Sequence, residues 1–278
     1  KNDIKKLLIM WNKSKSIGIF YIHGKKIEMN KGQFIKIEIP KLIWLTYRKN
    51  YHSLNENELI TSDTGWGCAI RSAQMLLANT IKLIKLSQIK SNQLIDIETH
   101  NNICSRVIHD FLDTPESLFS IHNIVNQMKD FKFKPGQYSP LLSPMVALKN
   151  ISESCDTCLK IITIYDFTIN KEQIKNSYKN DIGEFKWKPL LLCFYTQFPK
   201  IENDEEFPIE IKDLIKCDKF VGILAGIKRS AMYFYGIHNN KLLYLDPHTP
   251  QKIFKNFQEY LKSCSCSEYN RINIKNIQ

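Results

Sequence analysis

Long apolar runs are missing from this 278-residue chain. The most apolar stretches, Pro189-Leu-Leu-Leu-Cys-Phe194 and Phe220-Val-Gly-Ile-Leu-Ala225, fall far short of the roughly 20 residues that a spanning helix needs. A secretory leader is missing too. The opening Lys1-Asn-Asp-Ile-Lys-Lys-Leu-Leu-Ile-Met-Trp11 is basic and then apolar, but the apolar part is too short and no small-residue cleavage site follows. The expectation is a soluble, cytoplasmic protein. Cysteine is sparse for a disulfide scaffold, with eight in the chain, so reduced thiols are expected. The close pairs Cys155/Cys158 and Cys264/Cys266 have the wrong second spacing and no nearby histidine for a zinc ribbon. No metal and no cofactor are expected. Glycine-rich phosphate loops are absent, which argues against a nucleotide enzyme. The net charge of +11 comes from lysines spread along the chain. Without a basic block, it points to a lysine-rich composition before weak membrane attraction, and to nucleic acid last.

No internal repeat and no Gly/Ser-rich or Pro-rich linker divides the chain, so it reads as a single catalytic domain over residues 1–278. Residues 18–46 read as short extended segments: Gly18–Ile22, a turn at His23-Gly24, and the alternating Phe34–Ile39. The first strong helix begins at Cys68, where Ala69/Ile70, Ala73, Leu76/Leu77, Ile81 and Ile84 form one stripe. Ser62, Asp63 and Thr64 are candidate caps upstream. Further helices are expected over about Asn102–Phe111 and from Thr114-Pro115-Glu116 to Met128. After Pro135 the pattern turns strand-rich: Leu159–Ile164, Leu190–Phe194, Val221–Leu224, and a hairpin of Met232–Ile237 with Lys241–Leu245. Helices followed by strands predict an α+β domain, a helical layer on a mostly antiparallel sheet.

The chemistry concentrates at two places. Cys68 follows Gly65-Trp66-Gly67 and opens a long helix, where free N–H groups and the helix dipole favour a thiolate. The flanking glycines would let a substrate backbone approach closely. Asp246-Pro247-His248 follows the last hairpin strand, and in extended chain residues i and i+2 project from one face. A thiol, an imidazole and a carboxylate in that relation are the nucleophile, base and orienting group of a cysteine hydrolase. Taken singly, each has a plainer reading: Cys68 as a small buried residue, Asp246 as a turn former. His122 reads as a packed or capping histidine. The remaining histidines read as surface or structural.

Three segments, Thr46-Tyr-Arg-Lys-Asn-Tyr51, Ser62-Asp-Thr-Gly-Trp-Gly-Cys68 and Tyr244-Leu-Asp-Pro-His-Thr249, resemble the signature blocks of the autophagins, the autophagy-related protein 4 cysteine peptidases. Weaker matches at Phe119–Ile124, Trp187–Leu190, Gly222–Gly226 and Ser230–Phe234 fall in the same order, and the resemblance covers about Gly18 to Gln251. It implies a papain-like fold, with Cys68, His248 and Asp246 as a triad and the Tyr47 hydroxyl helping to bind the oxyanion. A tied-down core aromatic is an equal reading of Tyr47. The implied activity is cleavage of a ubiquitin-like autophagy modifier after its C-terminal glycine, and release of that glycine from phosphatidylethanolamine. The implied partners are therefore the modifier precursor, its lipid-conjugated form and, transiently, a membrane surface, with no nucleic acid.

Substrate-binding positions implied by the resemblance are Trp66, Tyr138, Gly226, Ile227 and Lys228. Two of these segments depart from the family pattern. Gln137-Tyr138 stands where the family has Gln-Trp, and Gly226-Ile-Lys-Arg229 stands where its flexible loop has Gly-Lys-Pro-Asn, so a slimmer channel wall and a looser loop are expected. A segment that follows in the family is absent, so the chain reads as truncated at its C-terminal end. The rival readings are a catalytically weak relative that only binds the modifier, another papain-like enzyme such as a deubiquitinase or transglutaminase, and a basic binding module.

Overall fold

The computed structural model describes residues 16–54, 59–89, 96–155, 157, 159–165, 168–179, 183–196, 208–264 and 269–273. In chain order its elements are β1 (Ile17–Ile22), β2 (Lys25–Asn30), α1 (Lys31–Ile37), β3 (Arg48–Lys49), α2 (Cys68–Ser87), α3 (Ile97–His109), α4 (Ile121–Met128) and α5 (Leu142–Ser154). Then come β4 (Lys160–Ile164), α6 (Lys171–Asn176), β5 (Leu190–Phe194), α7 (Ile209–Lys216), β6 (Ile223–Ile227), β7 (Ser230–His238), β8 (Lys241–Leu245), β9 (Gln251–Lys252), α8 (Phe257–Cys264) and β10 (Asn270–Ile272). This is the α+β arrangement expected from the sequence.

The nine-residue β7 organises the main sheet. One of its edges pairs with β8, antiparallel. Its other edge is shared, with β6 on Ser230–Phe234 and β1 on Gly236–His238. A register shift between Phe234 and Gly236 separates the two halves. The bulge changes which face alternate residues serve. Met232, Phe234 and Ile237 bury on one face beneath Ile215 of α7, whereas Tyr233 and Tyr235 enter the main core with the helices. Gly236 has no alternative at the crossing, because a Cβ there would lie 2.0 Å from the Tyr21 carbonyl oxygen. β4 and β5, and likewise β3 and β9, form separate two-stranded parallel pairs apart from the antiparallel main sheet.

Helix α2 is buried on nearly every side from Cys68 to Lys82, as a helix packed between a sheet and other helices must be. Three expectations are corrected. Residues 31–37 are helical, although the alternation of Phe34–Ile39 suggested a strand. Asn30 Oδ1 accepts from the Gln33 backbone N–H at 2.9 Å while the Gln33 side-chain Oε1 accepts from the Asn30 backbone N–H at 3.4 Å. That capping box outweighs the alternation, because only Phe34 of the helix is buried. Helix α4 starts at Ile121, capped by Ser120, and not at Pro115, because Asn123 Nδ2 ties down the carbonyls of Pro115 and Ser117 as a turn. Residues 142–154, within the segment read as strand-rich, form a helix that buries Met145, Ala147, Leu148 and Ile151.

Among the described residues no helix is long and apolar enough to cross a membrane. No group of three or more His, Cys, Asp or Glu side chains among them could hold a metal ion. Cys158 and Cys266 lie outside the described residues.

Candidate active site

Cys68 is the first residue of α2 and only 3% exposed. The expected side-chain caps are not used: the N-cap is Gly67, with no side-chain hydrogen bond. Asp63 instead closes the preceding turn, its backbone oxygen accepting from the N–H groups of Trp66 (3.2 Å) and Gly67 (2.9 Å). Gly65 adopts φ +89° in open space, a conformation that suits glycine. Gly67 is required for another reason: a Cβ there would meet the Asp63 carboxyl at 2.4 Å. Its missing side chain accommodates Asp63.

The loop after β8 brings His248 to this thiol. His248 lies close enough to Cys68 for each to act on the other's ionisation, and on its other side its Nδ1 is 2.6 Å from Asp246 Oδ1. An ionised carboxylate only accepts, so Nδ1 carries the proton and Nε2 faces sulfur. The same Asp246 oxygen accepts the His248 backbone N–H at 2.8 Å, so the turn-forming and ring-orienting readings of Asp246 hold together. The loop is anchored from behind, because the Trp44 indole N–H donates to the Asp246 carbonyl at 2.7 Å.

Tyr47 completes the cluster. It is buried beside Cys68, Ala69 and Ala231, edge-on to His248 with ring centroids 5.3 Å apart. Its hydroxyl is close enough to Cys68 for the two groups to act on each other's ionisation. Its backbone joins the two halves of the site: Tyr47 N–H donates to Pro247 O at 2.8 Å, and Tyr47 O accepts from Gln251 N–H at 2.9 Å, as part of the parallel pairing of β3 with β9.

The electrostatics favour an ion pair. Burial alone would raise the Cys68 thiol pKa. The hydrogen bonds from His248 and from the Ala231 backbone, the His248 charge and the Tyr47 hydroxyl outweigh burial and bring it below the ordinary thiol range. Burial would likewise depress His248, but Asp246 and Cys68 raise it to about 9. Asp246 is held below the usual carboxylate range, the bonds from His248 outweighing its burial. Burial first, and then Cys68, push the Tyr47 hydroxyl up, so it stays a donor. A thiolate beside an imidazolium, under a hydroxyl donor and a helix N-terminus, can attack an acyl carbon and then protonate a leaving amine.

The positions expected from the sequence to bind substrate distribute unevenly. Tyr138 is 72% exposed and close enough to the Tyr47 hydroxyl to act on its ionisation, while Leu141 packs on the Cys68 cluster. Gly226 pairs with Ala231, and Ile227 with Ser230, across the β6–β7 hairpin. Lys228 and Arg229 form its two-residue turn at φ +49° and +69°, the backbone of a type I′ turn. The segment expected to be a looser loop is the end of the β6–β7 hairpin. Trp66 is 7% exposed, packs near Phe133, and donates its indole N–H to Ser62 O at 3.0 Å.

Sequence reasoning missed a buried charge network behind the site. Asp63, Arg71, Asp113 and Arg48 are at most 2% exposed. Arg71 Nε donates to Asp63 Oδ2, and its Nη1 to Asp113 Oδ1, each at 2.7 Å. Arg48 Nη1 donates to Thr46 Oγ1 and Gln251 Oε1, also at 2.7 Å. The available signal was Arg71 itself, a charge one turn beyond Cys68 on a helix that is otherwise apolar there.

A sequence profile of the peptidase C54 catalytic domain matches residues 33–278. The chain is 32% identical over 210 residues to a protein of Debaryomyces hansenii named probable cysteine protease ATG4, covering 73% of this chain and 41% of that protein. A Vanderwaltozyma polyspora protein of the same name is 28% identical over 220 residues, 78% of this chain and 51% of its own length. The Gallus gallus cysteine protease ATG4B is 28% identical over 265 residues, 83% of this chain and 66% of its own. The chain spans about half the length of the first two of these.

Proposed function

Since this chain belongs to the peptidase C54 family, a family of papain-like cysteine peptidases, we propose that it hydrolyses the acyl–nitrogen bond that follows the C-terminal glycine of a ubiquitin-like autophagy modifier. The observation that carries the reading is His248 seated between Asp246 and Cys68, with the imidazole pushed up to about 9 and the thiol pulled down. The Cys68 thiolate attacks the glycine carbonyl carbon. The oxyanion is bound by the Tyr47 hydroxyl and the Cys68 backbone N–H, one of the N–H groups a helix start leaves free. His248 protonates the departing nitrogen, then takes a proton from the water that releases the acyl-enzyme, while Asp246 holds its ring. A peptide amine and the amine of phosphatidylethanolamine leave by the same step, so precursor processing and delipidation need one mechanism. A membrane surface is then a transient partner, and the cytoplasm is the fitting compartment.

In this reading Tyr138, beside Tyr47, and the Gly226–Lys228 hairpin end, whose Gly226 pairs with the Ala231 that packs on Cys68, form the glycine channel. The test is incubation with a glycine-containing modifier precursor and with a ubiquitin fusion, with mass spectrometry of the products. Cleavage after the modifier glycine alone, lost in Cys68→Ser, is the expected result. Binding without turnover, or cleavage of ubiquitin in preference, overturns it.

A further inference from the structure

Asp63 is fully buried, and its two carboxylate oxygens each bind a different piece of the site. Oδ1 accepts the backbone N–H of Arg48 at 2.6 Å, the residue after Tyr47. Oδ2 accepts Arg71 Nε at 2.7 Å, on the first turns of the Cys68 helix. The backbone N–H of Asp63 donates to Arg48 O at 3.2 Å, and its carbonyl holds the turn that delivers Cys68. Tyr47 in turn donates to Pro247 O, one residue before His248. One carboxylate thus fixes the Tyr47 backbone against the nucleophile turn, and through Tyr47 the histidine loop.

We infer that Asp63 is a positioning residue for the cysteine chemistry: it sets the Tyr47 hydroxyl relative to the Cys68 sulfur, a role beyond balancing the buried arginines. The inference rests on the hydrolase reading above. Fixing a donor where charge develops is what makes it effective, and misplacement by about 1 Å costs on the order of 100-fold.

Removing Asp63 alone would leave the buried Asp63–Arg71–Asp113–Arg48 network with one uncompensated positive charge, so the test uses charge-balanced pairs. Asp63→Asn with Arg71→Met keeps an oxygen for the Arg48 N–H. Asp63→Leu with Arg71→Met is equally balanced but leaves that N–H without its acceptor. On modifier precursor, the Asn pair should stay within a few-fold of wild type. The Leu pair should lose kcat by roughly 10- to 100-fold with little change in KM. The alkylation profile of Cys68 should shift to higher pH in the Leu pair only, and in a Tyr47→Phe background the difference between the pairs should shrink toward unity.

Should the Leu pair not fold, Gly67→Ala carries the same test: it keeps every charge and drives a Cβ into the Asp63 carboxyl. Its kcat and its alkylation profile should then move as predicted for the Leu pair. Equal kcat and equal alkylation profiles for the two pairs, or wild-type behaviour of Gly67→Ala, overturn the inference. Absence of cleavage by the wild-type enzyme overturns the hydrolase reading instead, and the alkylation profiles still decide the role of Asp63.

Discussion

At the scale of single residues, the site works because opposite forces act on the same groups. Burial raises the Cys68 thiol and lowers His248, and each would be inert alone. Their mutual influence, with Asp246 behind, reverses both shifts. The pH dependence follows in sign. The thiolate persists below the ordinary thiol range, so kcat/KM should fall only on the acid side of that range. It should fall again on the alkaline side near pH 9, as the imidazolium that protonates the leaving nitrogen is lost. Iodoacetamide alkylation of Cys68 should follow the acid limb alone. In His248→Ala, burial acts unopposed by the imidazole, so the alkylation profile should move to or above the free-thiol range. An unchanged profile in that variant would sink the ion pair.

Tyr47→Phe removes one hydroxyl donor and should lower kcat by about 100- to 1,000-fold if it serves the oxyanion, with KM little altered. A loss of stability with normal kcat would mark Tyr47 as a core aromatic. Tyr138 bears on selectivity. With Tyr where the family pattern has Trp, some cleavage of a substrate with alanine in place of its glycine is expected, and Tyr138→Trp should restore strictness by roughly 10- to 200-fold. A ratio of kcat/KM values that does not move excludes Tyr138 from the channel wall.

At the scale of elements, the two hairpins of the main sheet make a useful contrast. β7 and β8 turn through Asn239-Asn240, at φ +48° and +55°, with side chains that tolerate the left-handed region. β6 and β7 turn through Lys228-Arg229 in the same backbone form, although neither residue suits it. Long side chains there cost about 1 kcal/mol or more each. Replacing them as Lys228→Asn with Arg229→Gly should raise stability by roughly 1 kcal/mol after the added glycine entropy. Urea unfolding would read this as a higher midpoint at constant slope, and a lower midpoint would show that the cationic pair is held by interactions the turn geometry does not account for.

The same contrast explains what could be read from sequence. The Asn-Asn turn announced its hairpin, and the apolar stripe announced α2 from its first residue. The β6–β7 turn carries no turn-forming residue and read as a loop. Helix α1 hid its Asn30/Gln33 capping box behind an alternation, and α5 hid in a stretch that local pattern assigned to strands.

At the scale of the whole molecule, Cys68, His248, Asp246 and Tyr47 were legible because each sits in a local motif, and they meet in space. The Asp63–Arg71–Asp113–Arg48 network was not, because its members are spread from residue 48 to residue 113 and only the fold makes them neighbours. Burial of charge is a property of the assembled core.

A second buried cation follows the same logic at the other end of α2. Lys82 is 3% exposed, its ammonium donating to Lys41 O at 2.5 Å and to Asn79 Oδ1 at 2.9 Å. Asn79 also grips both backbone groups of Ile43, so the lysine helps fasten the chain that leads to Trp44 and the site. Burial, the largest influence, lowers Lys82 to about 8 from an ordinary 10.5. A base depressed in the folded state destabilises it wherever the group is charged in the folded protein. The penalty is therefore full below about pH 8, shrinks as pH rises, and disappears above about 10.5. At neutral pH it amounts to as much as about 3 kcal/mol, offset by the two hydrogen bonds at roughly 1 to 3 kcal/mol each.

Lys82→Met keeps the volume and removes both the penalty and the bonds, so its net effect at pH 7 should be small. The pH trend is the decisive quantity. The unfolding free energy of wild type should gain on that of Lys82→Met as pH rises from 8 to 10, measured by urea titration at each pH. A difference that stays flat would mean that Lys82 titrates as an ordinary surface lysine, and that the far end of α2 is open to water.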